Sequence, residues 1–197
     1  MPLRPYQLQA VADLRWSLGQ GRRSSLLVMP TGAGKTVVFT EIARSATIKS
    51  KSTLILVHRR ELIKQASAKL TAAGVEHGII AAGFTPSDQK VQIASVQTLV
   101  RRLTTTDFNP DLIIIDEAHH AVAGSWDKIT AQFSHARRIG VTATPSRLDG
   151  RGLGSHFEAL VSGPSVEQLV SGGFLSPHKV FAPPMLADLS QVKTRAG

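Results

Sequence analysis

Cysteine is absent from all 197 residues, which excludes a disulfide framework and any thiolate metal site and leaves packing alone to hold the fold. Aromatic residues make up only 5%, which argues against a channel lined with base-stacking rings. No stretch approaches the roughly 18 apolar residues of a membrane span, and the N-terminal MPLRPYQLQAVADLRW is interrupted by charges and glutamines. Neither a membrane helix nor a secretory leader is expected, and a cytoplasmic protein is the default expectation. Acidic residues are scarce, 14 against 23 Lys and Arg, for a net charge of +9. That balance favours a polyanionic partner such as nucleic acid, the alternative being a solvated basic surface.

What the chain does contain is a series of short runs rich in Val, Ile and Leu between longer segments of helical spacing. The pattern predicts strands at Leu26–Met29, Thr53–Val57, Gly78–Ala81, Val91–Ala94, Leu112–Ile115 and Arg138–Val141. Helices are predicted at Gln7–Gly19, Lys35–Ser45, Arg60–Ala73, Ser95–Arg102 and Ser125–Phe133, with one more at Val166–Gly172. Runs apolar at nearly every position suit strands covered on both faces, so the expected class is α/β, a mostly parallel sheet sandwiched between helices in one domain. The glycine-rich SRLDGRGLGSHFEALVSG reads as loop followed by a short amphipathic piece. The tail from Pro177 to Gly197, with three prolines, reads as an extended strand or linker toward something further along.

Directly after the first apolar run comes Pro30-Thr31-Gly32-Ala33-Gly34-Lys35-Thr36, followed by the helical VVFTEIAR. Glycines let the backbone amides curl round one anion, and the helix N-terminus adds its dipole. Lys35 supplies a cation for β- and γ-phosphates and the Thr36 hydroxyl a ligand for Mg²⁺. The strict phosphate-loop pattern asks for a small residue where this chain has Met29, and a chance glycine-rich turn is the competing reading. In Leu112-Ile113-Ile114-Ile115-Asp116-Glu117, four strand residues deliver two adjacent carboxylates to the C-terminal edge of the sheet, where open parallel sheets bind ligands. Adjacent acids call for a cation. Asp116 suits Mg²⁺ and Glu117 suits a general base, although most Asp-Glu pairs are solvated surface.

Asp116-Glu117-Ala118-His119 and the PTGAGKT loop together resemble superfamily 2 DEAD/DEAH-type helicases, and further motifs follow in that family's order. Leu3-Arg4-Pro5-Tyr6-Gln7 resembles the adenine-recognition motif, implying that Gln7 bonds the base edge while Arg4 and Tyr6 frame it. His58 to Gln65 resembles motif Ia, Ala94 to Leu99 motif Ic and Val141 to Pro145 motif III. RPYQ, HRRELIKQ and TATPSRLDG most resemble RadD-like and XPB-like proteins. The resemblance implies an N-terminal RecA-like lobe using ATP and Mg²⁺, with an ATP-binding surface of Arg4, Tyr6, Gln7, Thr31, Gly32, Ala33, Gly34, Lys35 and Thr36. It implies catalysis by Lys35, Asp116 and Glu117, and nucleic-acid contacts, DNA rather than RNA, from Arg59, Arg60, Gly83, Gln97 and Thr98. For those contacts the competing readings are a solvated basic cap and ordinary loop or helix-cap roles.

His119, Thr142 and Thr144 are expected to couple nucleotide state to grip on nucleic acid. His120 is assigned nothing, no His/Cys/Asp cluster makes a zinc site, and Trp16, Trp126 and Phe133 are expected in core or interface. Only one lobe fits in 197 residues, so a second RecA-like lobe carrying an arginine finger is expected elsewhere in a larger protein. The expected function is the ATP-binding lobe of a helicase or translocase; the alternative is a nucleotide-dependent binding module without turnover.

Overall fold

The computed structural model describes residues 2–120, 124–145 and 152–177. Helix α1 (Pro5–Gly19) leads into β1 (Ser24–Val28), α2 (Lys35–Ile48), β2 (Thr53–Val57) and α3 (Arg60–Ala72). Then come β3 (Gly78–Ile80), β4 (Val91–Ser95), α4 (Val96–Arg102), β5 (Leu112–Asp116), α5 (Ser125–Gln132), β6 (Arg137–Thr142), β7 (Ala159–Ser162) and α6 (Val166–Ser171). Among the described residues these strands form one seven-stranded sheet ordered β3-β4-β2-β5-β6-β1-β7, and every pairing is parallel. The α/β layer expectation holds.

Alternation along each strand builds the two sides of the core. Leu27, Ile55, Val57, Ile93, Ile114 and Val141 face the layer formed by α1, α2 and α3, against Leu14, Phe39 and Leu70. Their neighbours Leu26, Leu54, Leu56, Ile113 and Ile115 face the other layer, against Leu99, Trp126, Ile129 and Phe133. Runs such as LIII are therefore apolar throughout because both faces are covered, which is why they read as buried strands. At about 1.5–3 kcal/mol per fully buried large aliphatic side chain, this double core is the main source of stability.

Two sequence expectations need correction. The first strand begins at Ser24, not Leu26, because two buried serines are satisfied: Ser25 Oγ lies 2.8 Å from Ser17 Oγ, and Ser24 Oγ accepts from the Glu158 amide at 3.1 Å. Polarity hid the strand's first residues. The stretch read as loop plus amphipathic piece contains an edge strand, β7, pairing Leu27 with Val161. Trp126 and Phe133 are core, and Trp16, 63% exposed on α1, takes no part in it, which leaves the interface half of that expectation. The final helix is as expected, with Ser165 Oγ accepting from Gln168 N and Gln168 Oε1 accepting from Ser165 N. The tail expected as strand or linker lies, beyond Pro177, outside the described residues, as does 146–151. No described helix is long and apolar enough to cross a membrane.

Candidate nucleotide and nucleic-acid site

The loop between β1 and α2 has Gly32 at φ +81 and Gly34 at φ +84, conformations that side-chain-bearing residues rarely adopt. Gly34 is needed for a second reason: a Cβ there would run into the Gln7 amide. Gln7 itself is buried, accepting from Arg4 N through Oε1 at 3.0 Å and donating through Nε2 to the Ala33 carbonyl at 3.1 Å. Tyr6 donates from its hydroxyl to the same carbonyl at 3.1 Å. The N-terminal motif thus clamps the phosphate-type loop from behind, leaving Thr31 and Gly32 exposed and Lys35 in the first turn of α2.

Lys35, 9% exposed, points its Nζ to within 3.9 Å of Glu117 Oε1. Asp116 closes β5, and Glu117 turns out of the sheet with φ +48, a left-handed conformation in a non-glycine residue. Such backbone strain costs about 1–3 kcal/mol and gathers at functional sites. Here it swings the Glu117 carboxylate over Lys35 while its amide donates to Asp116 Oδ1 at 3.0 Å. Burial, and after it the negative charge of Glu117, pushes the Asp116 carboxyl up to about 6.

The network continues to β6. His119 Nδ1 lies 2.9 Å from Thr142 Oγ1 and 3.3 Å from Glu117 Oε2. The Thr142 hydroxyl donates its single proton to the Thr144 carbonyl at 2.8 Å and accepts from the Thr144 amide at 3.1 Å. Its remaining lone pair therefore accepts from His119, which assigns the proton of the neutral imidazole to Nδ1. Burial, then His120, lowers the His119 pKa, in keeping with that neutral ring. Glu117, His119, Thr142 and Thr144 are thus one connected chain from acid to sheet edge.

Sheet order decides what lies where. The phosphate-type loop follows β1, on one half of the C-terminal edge. Arg59 and Arg60 follow β2, Gly83 follows β3, and Gln97 and Thr98 follow β4, all on the other half. Arg59, Arg60, Gly83 and Gln97 are exposed, and a Cβ on Gly83, at φ +82, would stand 3.5 Å from an Arg60 Nη. A cleft of about 430 Å³ bridges the halves, lined by Thr31, Arg59, Glu117, His119 and Thr144. A larger cleft, about 670 Å³, lies at the opposite edge of the sheet, away from these groups.

Two groups escaped sequence reasoning. His58 and His120 stack edge to face at 5.9 Å beside Trp126, and burial, reinforced by His120 and His119, pushes His58 down to about 4. Phe174, after α6, packs on Tyr6 at 5.0 Å, and the Gly172-Gly173 pair before it was the available signal.

A family model described as type III restriction enzyme, res subunit, matches residues 1–147. The chain is similar to IRC3 of Saccharomyces cerevisiae, 36% identical over 217 aligned residues covering 98% of this chain and 31% of that protein. It is also similar to the DNA 3'-5' translocase XPB2 of Sulfurisphaera tokodaii, 31% identical over 185 residues covering 90% of this chain and 39% of that one. Among solved structures, the UvsW helicase of bacteriophage T4 shares the fold, with TM-score 0.67 at 20% identity over 82% of this chain and 60% of that one. The chain spans about a third of the length of the curated relatives it matches.

Proposed function

This chain belongs to the family of type III restriction enzyme res subunits, the N-terminal lobe of superfamily 2 helicases, and on that premise we propose that it is the ATP-binding lobe of a DNA helicase or translocase. The observation that carries the reading is the Lys35 to Glu117 approach at the end of β5, which sets a phosphate cation and a base on one cleft. The whole of residues 1–197 is read as one RecA-like domain with a partner lobe of the same protein, and the cytoplasm, where ATP and DNA meet, as its compartment.

In this reading Gly32, Ala33, Gly34, Lys35 and Thr36 present amides, an ammonium and a hydroxyl to the triphosphate. Asp116 and Thr36 would hold Mg²⁺, and the fit rests on Asp116: a buried carboxyl pushed up to about 6 beside a second acid would be relieved by a hard divalent cation. No group of three or more His, Cys, Asp or Glu among the described residues forms a metal cage alone, which suits an ion completed by phosphate oxygens. When bound, Mg²⁺ neutralises charge developing on the phosphoryl oxygens. Glu117 orients the attacking water and takes its proton on the carboxylate, which the Lys35 ammonium approaches at 3.9 Å. Asp116-Glu117-Ala118-His119 is accordingly read as a DEAH box, with His119, Thr142 and Thr144 linking that carboxylate to the cleft wall.

The test is nucleotide binding. Lys35→Ala is expected to weaken ATP·Mg²⁺ at least about a hundredfold, roughly 3 kcal/mol, because the buried phosphates lose their side-chain cation. Calorimetric titration giving wild-type affinity in the variant would refute the site. For nucleic acid, Arg59, Arg60, Gly83, Gln97 and Thr98 are proposed to grip the DNA backbone. Arg59→Ala with Arg60→Ala is expected to reduce the slope of log affinity against log salt by about 1.8 on duplex DNA or about 1.4 on a single strand, two phosphate contacts' worth. An unchanged slope returns both arginines to a solvated cap.

A further inference from the structure

The base end of the proposed nucleotide site has a wall that neither the phosphate loop nor the N-terminal motif supplies. Helix α6 ends at Ser171 with Gly172 as its C-cap, and Gly173 takes φ +70. That left-handed step folds the chain back, so the amides of Phe174 and Leu175 both donate to the Leu169 carbonyl, at 2.8 and 3.0 Å. The reversal sets the Phe174 ring edge-on to Tyr6, and the Arg4 guanidinium sits 5.3 Å from the Phe174 ring centre. Arg4 Nη1 also donates to the Tyr6 hydroxyl at 3.1 Å and to the Phe174 carbonyl at 3.5 Å. One residue on, Leu175 Cδ2 stands 3.0 Å from the position of a Cβ on Gly32, so the same turn rests on the phosphate loop.

Building on the nucleotide-site reading, we infer that Phe174 is a positioning residue for the nucleobase: it braces the Arg4 guanidinium from one side, so that the opposite face is a flat platform for a purine. An arginine on a free stem would lose rotamer freedom each time it stacked, and bracing removes that cost beforehand. Gln7 does not replace this platform. Both its polar atoms are engaged with Arg4 N and the Ala33 carbonyl, leaving one amide proton and one Oε1 lone pair on a buried side chain. Preference for a nucleotide over a bare polyphosphate therefore falls on Arg4, Tyr6 and Phe174. Because Leu175 contacts Gly32, the turn ties base and phosphate ends of the site together.

The experiment compares affinities of the 197-residue chain for ATP and for inorganic tripolyphosphate, each with Mg²⁺. Phe174→Ala and Phe174→Leu are expected to weaken ATP about tenfold while changing tripolyphosphate less than about twofold, and Phe174→Tyr to restore ATP binding. Phe174→Leu keeps apolar volume under Arg4, so its loss of ATP affinity marks the ring rather than the packing. Equal weakening of both ligands, or unchanged ATP affinity in both variants, overturns the inference. A wild-type chain that binds tripolyphosphate as tightly as ATP also overturns it and leaves the phosphate loop standing. Failure of wild type to bind either ligand removes the nucleotide-site reading as well.

Discussion

Residues 1–197 alone are expected to hydrolyse ATP about 10³- to 10⁵-fold more slowly than the same residues joined to a second RecA-like lobe, with or without DNA. The deficit, roughly 4–7 kcal/mol of transition-state stabilisation, is that of an arginine finger supplied across a cleft. Among the described residues, Lys35 is the cation at Glu117, and Arg59 reaches the same cleft from the half of the sheet read as the DNA side. Neither duplicates a finger from the opposite wall. Arg147 and Arg151 follow the TATP motif in sequence and lie outside the described residues. Rapid DNA-stimulated hydrolysis by residues 1–197 in a steady-state assay would refute the requirement, and Arg147→Ala and Arg151→Ala would then identify a finger supplied from within the chain.

With the second lobe present, Glu117→Gln is expected to bind ATP within a few-fold of wild type and to lose about 10²- to 10⁴-fold in turnover. The amide keeps the size of the side chain and an oxygen within reach of Lys35 and His119. What it loses is the basicity that draws a proton from water. Single-turnover hydrolysis under saturating nucleotide measures the chemical step directly. A glutamine variant that turns over at the wild-type rate would move the base elsewhere, with the strained φ of Glu117 then left without a catalytic reason.

The strand-end positions of the two motifs proposed to bind and hydrolyse nucleotide were legible because their local pattern is self-contained. PTGAGKT and IIIIDEAH each carry their own strand, turn and polar residues within a few positions, so spacing alone announces them. Edge strand β7 was not legible: of Ala159–Ser162 only Val161 is buried, and a strand with one covered position has no period to read. Ser24 and Ser25 were lost to the same blindness in reverse, their burial being permitted by partners at Ser17 and Glu158 that no local pattern announces. Phe174 belongs to a third class. Its partner Arg4 lies 170 residues away in sequence, and a lone phenylalanine after a glycine pair says nothing of the arginine it will meet.

The position of β1 in the sheet has a kinetic consequence. Among the described residues the strand that carries the phosphate loop pairs with β6 and β7 and with none of β2 to β5, so its partners begin at Arg137 and Ala159. On the ribosome, α1 and α2 can cover the Leu27 face early, but β1 emerges long before its strand partners, whereas β2, β4 and β5 find one another within a much shorter span. Closure of loops this long is entropically costly and slow. The half of the sheet with Arg59 and Arg60 is therefore expected to consolidate first, and the nucleotide loop to gain its rigid base only when the last strands dock. Until then an unpaired strand with two large aliphatic side chains is the point at which the nascent chain is open to aggregation and to chaperones.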